Sequence, residues 1–272
     1  MFLAERLTPA DAAVLETFVV PRYLALYGQL VLEMLLESES PRIAHLGCRT
    51  GYPDRKLFER MDGASLIGLD PSLPALELAR NKAAVLGDAA IEYHVTGSLP
   101  CKLESEQCSH VLSLHPNSTR KSRADLFREM ARLLYSGGQA LVALPLRGSF
   151  QEIADLFREY ALKFGDGDFA KAVDTAFAAR PSLEMLSEEL EQAGFEDVDV
   201  EVRGAELMFD SGRAFIEDPA SRLLILPEVR SWLGTADLKE PLGYVRDAVD
   251  KYWSETQLGL SLSIGCASAR KP

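Results

Sequence analysis

Arg42-Ile43-Ala44-His45-Leu46-Gly47-Cys48-Arg49-Thr50-Gly51 decides the fold of this chain. A short apolar run enters a Gly-spaced turn, and a helical pattern follows. About twenty residues later Leu66-Ile67-Gly68-Leu69-Asp70 repeats the apolar run and ends it on a carboxylate. In an open α/β sheet this pairing holds a nucleoside. The glycines let backbone approach the ligand, and the acid at the end of the next strand accepts from ribose hydroxyls. Capping the following helix is the other use open to Asp70.

Working outward, strands are expected at 42–47, 65–69, 91–95, 109–114 and 140–144. Helices are expected at 53–61, 73–86 (stopped by Gly87) and 120–134. Alternation of this kind makes βαβ units and a parallel sheet. Upstream, Thr8-Pro9-Ala10-Asp11 reads as a helix start, and Pro21 as the start of a second helix through Tyr23, Leu26, Leu30 and Met34. Downstream, 150–163, 168–179 and 182–193 read as helices, 198–202 as a strand, 211–255 as a helical insertion and 258–267 as a last strand.

Composition narrows the function. The chain has 272 residues and a net charge of −12. It lacks the basic field that gripping a phosphate backbone requires, so nucleic acid is not an expected partner. Cys48, Cys101, Cys108 and Cys266 form no CxxC pair, and no metal-ligand spacing occurs, so reduced thiols and no metal are expected. The stretch Met1 to Arg6 shows no secretion pattern, and no apolar run reaches the ~20 residues of a membrane span. A cytoplasmic protein without a membrane partner is the expectation.

The order of these pieces resembles class I S-adenosylmethionine-dependent methyltransferases, of the small-molecule type related to ubiquinone-biosynthesis enzymes. The resemblance covers roughly residues 20–270. It rests on Ile43 to Gly51 as the first motif and Leu66 to Ser72 as the ribose-binding strand end. Gly97-Ser98-Leu99-Pro100 resembles the adenine loop, Arg132 to Gly138 the turn before the fifth strand, and Gln192 to Val198 the passage after it. The resemblance implies a doubly wound, mostly parallel seven-stranded sheet with a helical insertion between the last two strands. It further implies an N-terminal helical cover at 1–40, a core at 41–203 and 258–272, and a lid at 204–257. S-adenosylmethionine is the implied cofactor, held by Gly47, Cys48, Arg49, Gly51, Asp70, Pro71, Gly97, Ser98, Leu99 and Leu114.

The chain also departs from the family. His45 stands where the family carries an acid, Arg49 where it carries Gly, Ser98 where it carries Asp, and Ser109-His110 where it carries Phe-Asp. Arg49 has three readings: exposed to solvent, paired with a carboxylate such as Asp70, or holding an anionic ligand. Cys48, at a helix start, reads as packing.

Methyl transfer to a hydroxyl is helped by a general base, and His115, just beyond the fourth strand, is the candidate. Tyr23 and Tyr27 share a helix face and are candidates for packing or substrate contact, as is Tyr244 on the insertion. Two functions follow as expectations. One is methyl transfer to a small molecule. The other is a catalytically degenerate protein of the same fold that binds or regulates a partner protein. The insertion is compatible with a lid or with a homodimer contact.

Overall fold

In the computed structural model the chain is described at residues 6–86, 90–116, 119–234 and 237–272. Met1 to Glu5, Gly87 (the expected helix stop) and Asn117 of the His115 loop lie outside the described residues. Two compact units form: residues 1–144, 183–202 and 265–272 in the first, and 145–182 with 203–264 in the second.

The first unit is built on the expected alternation. Its elements are β1 (Arg42–Leu46), α3 (Asp54–Arg60), β2 (Ser65–Asp70), α4 (Leu73–Ala83), β3 (Ala90–Val95), β4 (Cys108–Leu114), α5 (Arg120–Leu133) and β5 (Leu134–Pro145). Seven strands make one sheet in the order β3-β2-β1-β4-β5-β7-β6, where β6 is Glu196–Phe209 and β7 is Leu258–Arg270. The pairings among β1 to β5 are parallel. The order reverses beside β1, so the carboxyl ends of β1 and β4 flank the crevice in which such sheets bind ligands.

The N-terminal reading needs correction. Thr8 does cap α1 (Pro9–Val14), its side chain accepting from the Asp11 N–H at 3.1 Å. Pro21, however, starts nothing: the chain stays helical from Pro9 to Met34, with a π-helical segment at Leu15–Leu24 and α2 at Ala25–Met34. Proline lacks an N–H and its ring collides with the carbonyl four residues back. The segment around Pro21 is wider than an α-helical turn, and at its end the Ala25 N–H reaches the Val20 carbonyl. The insertion is corrected as well. Its first residues are strand, since β6 runs to Phe209 before α9 (Gly212–Glu217) begins.

Several buried polar groups inside this unit are paired. Arg123 of α5, fully buried, holds Glu189 of α8 (Leu183–Gln192) through two hydrogen bonds of 2.6 and 2.7 Å. His110 of β4 lies beside Ile43 in register, below the level of His45. Its Nε2 is 3.0 Å from the Leu36 carbonyl and its Nδ1 2.8 Å from Ser109 Oγ. Burial holds its pKa below the ordinary 6.5, against the Leu36 hydrogen bond that raises it. The unfolded chain therefore binds the proton more readily. The contribution of a neutral His110 is complete above about pH 6.5 and is lost as pH falls below it. Denaturant unfolding between pH 7.5 and pH 5 is expected to show a smaller loss of stability for His110→Gln than for the wild type.

In the second unit Arg180 is fully buried. Its guanidinium lies 4.6 to 5.2 Å from the rings of Phe150, Phe177 and Trp232 and 3.0 Å from Glu228. Tyr244, on α11 (Lys239–Tyr252), donates to Glu159 at 2.6 Å.

Candidate functional site

The crevice edge is organised by the turn after β1. Gly47 and Gly51 both adopt left-handed backbone, with φ of 72° and 75°. The Gly47 and Cys48 N–H groups donate to the Leu69 carbonyl at 2.8 and 3.2 Å, which fastens the turn to the end of β2. Asp70 completes that edge. Its two carboxylate oxygens accept the Arg49 and Ser72 N–H groups at 2.9 and 2.8 Å. The carboxylate thus ties the Gly turn to Ser72, the residue before α4. Asp70 is 0% exposed, and burial raises its pKa while the Ser72 hydrogen bond and the Arg49 charge lower it.

Arg49 is not exposed to solvent; its charge acts on Asp70, while its guanidinium bonds main-chain carbonyls. Its backbone is left-handed, with φ of 48°, and its side chain is 8% exposed. The guanidinium crosses from the β1 turn to the end of β4, donating to the carbonyls of Leu114 and His115 at 2.8 Å each. His115 is also left-handed, at φ 45°. Two non-glycine residues in this region are strained, and such strain persists only where surrounding bonds fix it.

His115 is buried, and its Nε2 lies 2.9 Å from the hydroxyl of Tyr23. Tyr27 donates to that same hydroxyl oxygen at 2.8 Å. The three rings pack edge to face, with centroids 5.2 to 5.4 Å apart. The structure thus brings Tyr23, Tyr27, Arg49, Leu114 and His115 together. Gly97, Ser98 and Leu99 form a loop at the end of β3, and the Thr96 N–H that opens it donates to the Asp70 carbonyl at 3.0 Å. Pro71 is buried between Asp70 and Ser72. Tyr244 lies in the second unit.

A second network was not legible from the turn alone. His45 Nδ1 is 2.6 Å from Asp54 Oδ1, and Tyr93 donates to Asp54 Oδ2 at 2.9 Å. His45, Gly68 and Tyr93 occupy one row across β1, β2 and β3. Gly68 has no side chain there, so the Tyr93 ring lies over it. Asp54, in the first turn of α3, sits at the positive end of that helix. A carboxylate thus reaches position 45 from nine residues further on. Its signal in the sequence was an acid in the first turn of a helix, a common feature that the motif overshadowed. His45 Nε2 and Thr50 Oγ1 are buried without a hydrogen-bond partner among the described residues. Cys48 packs with Leu76, Ala79 and Tyr93. Burial, then Asp54 and Asp70, hold its thiol well above the ordinary range, which suits packing rather than reaction.

The sheet order, the left-handed Gly turn and the acid ending β2 find a counterpart in a known family. Residues 43–138, about a third of the chain, match the family model described as a methyltransferase domain. That stretch resembles a methyltransferase domain. No curated protein matches the chain by sequence. Solved structures share the fold of the domain and its extensions. The YcgJ protein of Bacillus subtilis superposes with a TM-score of 0.60 at 11% identity, over 91% of this chain and 98% of that one. Phosphoethanolamine N-methyltransferase 2 of Haemonchus contortus, solved with S-adenosyl-L-methionine, gives 0.58 at 17% identity over 97% of this chain. This chain spans only 57% of that longer protein. The [4+2]-cyclase SpnF gives 0.54 at 17% identity, over 92% of this chain and 80% of its own. The match ends at Gly138, within β5, so β6, β7 and the second unit lie beyond it.

Proposed function

We propose that this chain is an S-adenosylmethionine-dependent methyltransferase acting on a small-molecule acceptor. The observation that carries the reading is Asp70: a carboxylate ending β2, aimed at the Gly47–Gly51 turn, inside a matched methyltransferase domain. The placing of Gly47, Gly51, Asp70 and the 97–100 loop around one crevice supports it. So do the unpartnered His45 Nε2 and Thr50 Oγ1, because buried polar atoms without partners are costly and here border the turn.

The residues as they stand do not fit an adenosyl group. Asp70 is enclosed with both oxygens engaged, and the Arg49 guanidinium bridges the crevice. The reading is therefore of a site closed in this structure, and the chemistry assigned here is confined to the chain's own groups. His115 is the proposed base. When Nε2 is unprotonated it accepts from the Tyr23 hydroxyl, and that is the form a base needs. An acceptor hydroxyl or amine would take the place of Tyr23 as donor to that atom. Tyr23 and Tyr27 hold the ring in place. The net charge of −12 favours an acceptor other than nucleic acid. No described helix is long and apolar enough to cross a membrane. The cysteines, all unpaired thiols, support a reducing, cytoplasmic setting.

The closed crevice favours one other reading, a protein of this fold that no longer transfers methyl groups and binds a protein partner. A shared fold does not fix a reaction, and one structural neighbour is named as a cyclase. Titration calorimetry separates the two. Methyl transfer predicts saturable binding of S-adenosylmethionine and S-adenosylhomocysteine to the wild type or to an Arg49 variant. No heat at millimolar ligand with any of these proteins removes the enzyme reading.

A further inference from the structure

We infer that Arg49 is a plug built into the chain, closing the donor crevice by bridging the β1 turn to the end of β4, and that a nucleoside ligand enters only when this bridge is released. The inference rests on the methyltransferase reading for the identity of the ligand, but the plug itself rests on geometry.

Three observations carry it. The first is the position: Arg49 stands between Gly47 and Gly51, where its N–H is the one that occupies Asp70 Oδ2. The same residue therefore holds the carboxylate and spans the crevice. The second is the bond pattern. The guanidinium fork uses two different nitrogens on two successive carbonyls, Leu114 and His115, each at 2.8 Å. Planar fork geometry of this kind is specific to arginine, which places two N–H donors at a fixed separation. The third is the backbone. Both ends of the bridge, Arg49 and His115, are in left-handed conformation that side chains other than glycine adopt reluctantly. Strain at both anchors of one contact means that the contact holds them, and its release relaxes both.

The bridge has a consequence for the acceptor side. Its β4 anchor is the carbonyl of His115, whose imidazole is bonded to Tyr23. Closing the donor crevice and holding the candidate base are thus one contact. A protein whose competent form is only a small fraction of the population binds with affinity reduced by that fraction.

Two variants and two measurements test this. Arg49→Gly removes the side chain and the backbone strain together, while Arg49→Ala removes the side chain and keeps the strain. Binding of S-adenosylhomocysteine is measured by calorimetry. Hydrogen exchange is followed over residues 46–52 and 70–73, which include the N–H groups held by Asp70. The inference predicts affinity at least about tenfold tighter in both variants, the gain expected when a tenth or less of the wild type is open. It also predicts faster exchange in both segments. Affinity within twofold of wild type together with unchanged exchange overturns the plug. Faster exchange with no ligand bound by any of the three proteins upholds the plug and instead removes the methyltransferase reading.

Discussion

Gly68→Ala is expected to destabilise the protein by about 3 kcal/mol, the upper part of the range for overpacking a close-packed core. The backbone at Gly68 is ordinary strand, so the cost is entirely steric. A methyl group there overlaps the ring of Tyr93 and comes within 2.9 Å of Cys48 Sγ. The ring cannot shift cheaply, because its hydroxyl donates to Asp54 and it is buried against α4. Displacing it leaves Asp54 one donor short, at a cost of about 1–3 kcal/mol for a buried group. The check is a double-mutant cycle with Tyr93→Leu, read by urea unfolding. Tyr93→Leu alone is destabilising, but Gly68→Ala is expected to cost much less in its background. Equal cost of Gly68→Ala in both backgrounds would show that the ring is not what the glycine accommodates.

Asp70→Ala is expected to weaken S-adenosylhomocysteine binding about a hundredfold or more, since hydrogen bonds to a charged acceptor contribute about 1.5–3 kcal/mol each and a ribose offers two hydroxyls. The measurement belongs in the Arg49→Gly background, where the crevice is open. The effect on folding is expected to be smaller. The substitution removes the acceptor of the Arg49 and Ser72 N–H groups but also removes a carboxylate whose burial is unfavourable. A large loss of stability with unchanged ligand affinity would make Asp70 a helix-capping residue alone.

Much of the first unit was legible because its signals are local. The apolar runs, the Gly-spaced turn and the helix starts at Thr8 and Arg120 depend on neighbours in sequence, and they fall within a few residues of where the periodicity placed them. Pro21 misled because its usual effect assumes an α-helical turn, whereas the chain widens there. The start of the insertion misled because the strand residues up to Phe209 continue β6 past the alternation at 198–202. The site was half legible. Gly47, Gly51 and Asp70 announce themselves, since they do the same work wherever a strand meets such a turn. Arg49 does not. Its partners are main-chain carbonyls about 65 residues away, and carbonyls leave no mark in a sequence. The His45–Asp54–Tyr93 network was hidden for a related reason: it depends on the register that puts Gly68 between two side chains of the same row.

The sharpest test is a crystal structure of the Arg49→Gly protein grown with saturating S-adenosylhomocysteine. The account predicts the adenosyl group in the crevice between the β1 turn and the 97–100 loop, with its ribose hydroxyls on the Asp70 carboxylate. A crevice filled by protein atoms, with Asp70 still enclosed by the backbone N–H groups of position 49 and Ser72 and the nucleoside absent or bound elsewhere, would contradict it.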